Sequence, residues 1–276
     1  MKFKNINVPL TALIGEIVGT FILAVVILTV GIPLFVGLTL AVLVIGLYAI
    51  SGANLNPAVT FALWSVKKMS TSKALFYWLA QFIGALFALL VTQLYKGTST
   101  QISLSSFTSF DAKLVFAEII GMAIFAFVVV AVVNKKATEG LTAAGIGLAL
   151  MVGLYAGGGL LNLAAQNPSA SATEAPRASK VDGVVINPAV ALAATEKEDQ
   201  NSALQQQLQG AKAPEAKKPV SRFTLETTVG TLIGAAFGAN LYMLLVGESP
   251  FVKKKTVAQK VTTTVKKATK KVTRKK

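Results

Sequence analysis

Few residues in this 276-residue chain can do chemistry. Histidine and cysteine are both absent, which excludes thiolate and imidazole metal sites, disulfides and any His-based triad. The polar groups that stand inside apolar sequence are instead paired. Glu16 lies in "GEIVGTFILAVVI" and Glu118 in "AEIIGMAIFAFVVV"; Asn-Pro-Ala-Val occurs at Asn56, Pro57, Ala58 and again at Asn187, Pro188, Ala189. A carboxylate within an apolar span is costly and needs a partner or a wet cavity. One chemistry open to Glu16 and Glu118 is a proton relay, as in a coupled transporter. The other is structural: each carboxylate accepts hydrogen bonds from backbone that a neighbouring non-helical segment leaves unpaired. The repetition of Glu beside Asn-Pro favours the structural role.

Asparagine is a strong N-cap, and proline suits the first turn of a helix, where its missing N–H goes unneeded. "NPAVTFALW" and "NPAVALAAT" therefore each predict a short helix starting at the Asn. Eight to ten residues give roughly 12–15 Å, about half the roughly 30 Å hydrocarbon core. Neither segment spans alone. Entering from opposite sides, the two would meet at the midplane with positive ends of about +0.5 charge each. Asn56 and Asn187 would point amide donors into a narrow aqueous path, where water or a hydroxyl can accept and a cation meets a barrier.

The elements that must position these residues follow from composition. The chain is 53% hydrophobic and 14% charged, against about 25% charged in a soluble domain. Six apolar segments reach the roughly 20 residues a bilayer requires, near 8–30, 32–50, 74–95, 114–133, 141–161 and 227–246. The fold class is all-α membrane protein, with six transmembrane helices plus two re-entrant half-helices. The first span follows a basic start but contains Glu16 and lacks a cleavage pattern, so it reads as retained.

The two halves match. Glu16/Gly19 and Glu118/Gly121 share an offset of 102, and each half continues to Asn-Pro-Ala-Val and then a Gly-bearing span. Three spans per half put the second repeat upside down relative to the first. Glycines at spacing four, such as Gly15/Gly19, Gly153/Gly157 and Gly230/Gly234/Gly238, read as close helix packing.

A single channel-like domain over 1–252 is expected, with repeat 1 at about 8–96 and repeat 2 at about 111–247. The second repeat carries loop-like insertions at about 161–181 and 196–221, rich in Ala, Gln, Ser, Pro and charge. A basic tail, 253–276, follows; it holds eleven of the 27 Lys and Arg and no acid. Lys2, Lys4, Lys67, Lys68, Lys73, Lys135, Lys136 and the tail together make 18 of the 27. The positive-inside rule then puts both termini in the cytoplasm. The tail reads as a solvated segment enforcing topology, with an interfacial amphipathic helix as the weaker reading. No nucleic acid is expected as a partner, because the tail has no aromatics with which to stack bases.

"SGANLNPAVTFALW", "YWLAQFIGA", "INPAVALA" and the two E-x-x-G first-span motifs resemble the aquaporin, or major intrinsic protein, family over roughly Leu10 to Val246 apart from the insertions. The resemblance implies six tilted helices, two half-helices, one pore per protomer and a homotetramer. It also marks a departure. Most family members carry Arg directly after the second Asn-Pro-Ala, at an outer constriction; here that position is Val190. The other constriction positions map to Val36, Leu154 and Val184, so all four are aliphatic. Without Arg the ring lacks a fixed charge and five donors. Arg177 or Lys180, folding back from the insertion, is a candidate replacement, although an arginine in a polar loop more often sits in solvent.

The functional expectation is a passive channel for water and small neutral solutes, in a plasma membrane, with membrane lipids as further partners and no catalytic group, cofactor or metal. Alternatives are a glycerol or small-solute facilitator with a wide apolar constriction, and a proton-coupled secondary transporter using Glu16 and Glu118. A member that has lost conduction and serves in adhesion carries low weight.

Overall fold

The computed structural model describes residues 8–102, 110–166, 177–197 and 218–249. The basic tail, residues 167–176 of the first insertion and residues 198–217 of the second lie outside the described residues. Six helices are long and apolar enough to cross a membrane. They are α1 (Leu10–Thr29), α2 (Pro33–Ser51), α4 (Thr71–Lys96), α5 (Ala112–Lys135), α6 (Glu139–Gln166) and the span Glu226–Leu245, whose α-helical part is α8 (Thr231–Leu245). A π-helical turn, Glu226–Gly230, opens the last of them. Two short helices, α3 (Pro57–Ser65) and α7 (Pro188–Ala193), lie between spans. Among the described residues there is no strand, only isolated bridges between Gln101 and Val220 and between Thr195 and Ser221.

Local chemistry explains where the elements start and stop. Asn56 accepts from Ala58 N at 2.7 Å, and Asn187 accepts from Ala189 N and Val190 N at 3.1 and 3.3 Å. These bonds satisfy backbone donors that a helix start would otherwise leave orphaned. Asp111 caps α5 in the same way, through Lys113 N and Leu114 N. Pro33 opens α2, and Gly52, in the left-handed region at φ 89, closes it.

The repeat is visible in the packing. α1 lies along α4 as α5 lies along α8. A Cβ on Gly84 would sit 2.4 Å from Ile17 O, and one on Gly234 would sit 2.4 Å from Ile119 O. Each glycine thus lets one helix backbone touch the first helix of its own repeat. The half-helices are exchanged: α3 packs on α8 and α7 on α4. Large apolar residues such as Leu10, Val42, Ile45, Leu90 and Phe116 stay exposed on the outside, as a lipid-facing surface requires.

Three element boundaries differ from expectation. Helix α6 continues through Gln166 rather than ending at the start of the insertion; "LNLAAQ" is built of helix formers. The second half-helix has six residues, not eight to ten. It stops because Ala194 turns extended and its carbonyl accepts from Arg222 N at 2.8 Å. The second insertion ends earlier than 221, since Pro219–Ser221 pairs with Gln101 and with the chain leaving α7.

Candidate pore and its outer mouth

The two Asn-Pro-Ala segments meet. Asn56 Nδ2 donates to Ile186 O at 2.8 Å, and Asn187 Nδ2 donates to Leu55 O at 3.1 Å. Each amide oxygen caps its own half-helix while one amide N–H crosses to the carbonyl preceding the other Asn. The second amide hydrogen of each has no partner among the described residues. Two helix N-termini therefore face one another across a pair of reciprocal bonds between residues 130 and 132 positions apart.

Holding this junction requires unusual backbone. Leu55 has φ 52 and Ile186 has φ 43. Left-handed conformations are disfavoured for such side chains, most of all for a β-branched one, and persist only where surroundings enforce them. Glu16 enforces the first: it accepts from Asn54 N at 3.0 Å, Leu55 N at 2.7 Å, Ser51 Oγ at 2.7 Å and Gln81 Nε2 at 2.7 Å. Glu118 enforces the second through Val185 N at 2.9 Å and Ile186 N at 2.8 Å. Both carboxyl groups are fully buried. The first has two neutral side-chain donors in addition to backbone. In place of those donors the second has a cation, Arg222, whose guanidinium stands 3.7 Å away.

Two cavities flank the junction, named inner and outer for the sides that the positive-inside expectation gives them. The inner one, about 130 Å³, is lined by Tyr48, Asn54, Val59, Leu63, Lys68 and Ile146 among others. The outer one, about 480 Å³, is lined by Pro33, Leu154, Val184, Val185 and Arg222 among others. Pro33 and Tyr48 are opposite ends of α2, so the cavities open toward opposite faces. Of the four aliphatic positions assigned to the constriction, Leu154 and Val184 line the outer cavity. Val36 and Val190 do not. Val36 packs in the main apolar core, and Val190 is enclosed with Ala24, Ala88, Val185 and Ala191. Both side chains complete helix packing.

Arg177 lies in neither solvent nor the outer cavity. Its Nε pairs with Glu196 at 2.8 Å and its Nη1 with Glu226 at 3.0 Å. Glu226 also accepts from Asp111 N at 3.0 Å, and Asp111 from Ala178 N at 2.8 Å. This network ties the described end of the first insertion to the starts of α5 and the last span. Lys180 sits in the same 3₁₀ turn, Arg177–Lys180, and its carbonyl accepts from Lys197 N.

The residue not anticipated is Arg222. It is 8% exposed, lines the outer cavity and donates from Nη2 to Gly183 O at 2.6 Å. Burial pushes its pKa below the ordinary value, while Glu118, Glu196 and Asp182 pull it back up. One signal was available. The chain uses arginine at three positions only, against 24 lysines, and this one immediately precedes an apolar span.

Six spanning helices in two inverted repeats, with two re-entrant half-helices abutting through asparagine, define a multi-pass membrane protein of channel architecture. The Major intrinsic protein family model matches residues 27–175, more than half of the chain, and the chain belongs to that family. The match ends before the second Asn-Pro-Ala. Aquaporin Z of Photorhabdus laumondii is 31% identical over 138 residues, 45% of this chain and 59% of that protein. Aquaporin AqpM of Methanothermobacter thermautotrophicus is 46% identical over 59 residues, 21% of this chain and 24% of that protein. The chain thus spans less than two thirds of the length of these curated relatives. The crystal structure of the aquaglyceroporin from Plasmodium falciparum has the same fold, with a TM-score of 0.52 at 19% identity, covering 86% of this chain and 96% of that one.

Proposed function

We propose that this protein is a passive channel for water and small neutral solutes, with a path running past Asn56 and Asn187 between the inner and outer cavities. The observation that carries this is the reciprocal bonding of the two asparagines where the half-helix N-termini meet. That arrangement leaves each amide one N–H for a passing oxygen, and two facing positive helix ends oppose a cation or a migrating proton. The bonding of Glu16 and Glu118 supports a structural role for both over a proton relay, because their oxygens are occupied by the loops they hold. The unit is residues 1–252 with the basic tail as an appendage, both termini are cytoplasmic in a plasma membrane, and the assembly is a homotetramer.

Stopped-flow light scattering on proteoliposomes tests the reading. Water permeability above that of empty vesicles is expected, with glycerol and urea compared in the same preparation. Flux should rise linearly with solute gradient and ignore a proton gradient. Saturation at low solute together with proton dependence would establish a carrier instead.

A further inference from the structure

The outer cavity carries one charge that solvent does not neutralise. Among the described residues lining it, Lys96, Asp182 and Arg222 are charged. Lys96 and Asp182 are exposed, and Asp182 pairs with Lys197. Arg222 is buried, and the wall near it sets aliphatic Ile27, Leu28, Leu154, Val184 and Val185 beside the polar side chains of Asn162 and Thr195. A charge in such surroundings is screened far less than one in water. Its position is fixed from three sides. Its backbone N–H is bonded to Ala194 O at the end of α7, its guanidinium to Gly183 O, and Glu118 lies 3.7 Å away. Glu118 in turn holds Val185 and Ile186, so the cation is tied to the same backbone that presents the second Asn-Pro-Ala. The bond to Gly183 is the one hydrogen bond this guanidinium makes to the described residues, and its buried Nε has none. Among the described residues its five N–H donors meet one carbonyl and one carboxylate beyond hydrogen-bonding distance.

Resting on the channel reading above, we propose that Arg222 is the selectivity-determining residue of the outer mouth. Its charge excludes cations, and its remaining donors bind the hydroxyl or carbonyl oxygen of a neutral solute entering the path. The bonding to Ala194 and Gly183 brings this arginine to the mouth from the segment before the last span, some thirty residues beyond Val190.

The test must separate selectivity from the counter-ion role toward Glu118, since removing the cation alone strands a buried carboxylate. The neutral pair R222Q/E118Q keeps hydrogen-bonding capacity on both sides. In proteoliposomes with sodium and proton gradients, this variant should admit cations that the unmodified protein excludes. Cation exclusion equal to the unmodified protein in a variant that still conducts water would overturn the proposal. R222K supplies an independent measure, because it keeps the charge and loses the planar set of donors. Its glycerol-to-water permeability ratio should shift by about tenfold, the equivalent of one bond to a charged donor. A ratio unchanged in R222K would also overturn the proposal, even if the neutral pair fails to assemble. Absence of water flux in the unmodified protein would instead remove the channel reading itself.

Discussion

A carboxyl group in a membrane helix takes its meaning from its partners. Glu16 gathers two backbone and two side-chain donors from the loop it faces. Glu16→Ala would strand the N–H groups of Asn54 and Leu55 in the interior at about 1–3 kcal/mol each. We expect thermal unfolding in detergent to fall sharply in this variant. Glu16→Gln, which keeps one acceptor, should lose less and should conduct without dependence on a proton gradient. Arg177 gives a contrast with Arg222. It bridges Glu196 and the fully buried Glu226, so Arg177→Ala should destabilise by about 3–5 kcal/mol through the uncompensated charge. Its solute and ion selectivity should match the unmodified protein, and a change in selectivity would move the outer filter to Arg177.

At the level of elements, the repeat depends on bare backbone contacts. Gly84→Val would place a branched side chain where even a Cβ comes within 2.4 Å of Ile17 O. That contact is backbone, so α1 and α4 must separate, and we expect little folded protein by size-exclusion chromatography. Gly46→Ala is the matched control. Nothing lies within 4 Å of a Cβ there, and the substitution should be neutral or stabilise by about 0.5–1 kcal/mol. The same contrast explains what was legible in the sequence. Asn56, Asn187, Glu16 and Glu118 could be located because each recurs in both repeats, next to chemistry that demands a helix start or a buried acceptor. The six spans could be located because apolar length is a strong signal. Arg222 could not. It has no counterpart in the first repeat, and it reaches the outer cavity only through pairing between segments on either side of a long insertion. The length of α7 was hidden for the same reason, because the bond from Arg222 N to Ala194 O ends it. Val190 follows Asn-Pro-Ala directly, yet whether it faced a cavity or α1 and α4 depended on packing that spacing does not encode.

For the whole molecule, orientation is the property on which the functional reading turns, and the chain lends itself to measuring it. No cysteine is present, so single cysteines can be introduced without removing others. Asp182 is exposed and lines the outer cavity; Lys68 is exposed and lines the inner one. The basic connections at Lys67, Lys68, Lys73, Lys135 and Lys136 are expected on the inner side by the positive-inside rule. Asp182→Cys in right-side-out vesicles should react with a membrane-impermeant sulfonate reagent added outside, whereas Lys68→Cys should react only after the vesicles are opened. A bulky adduct at residue 182 should also lower water permeability, because it occupies a cavity of about 480 Å³ at the proposed mouth. The two readouts separate topology from conduction. Labelling from the expected side without loss of flux would leave orientation intact while removing this cavity from the path. Labelling of Lys68→Cys from outside would reverse the topology, and with it the assignment of Arg222 to the outer mouth.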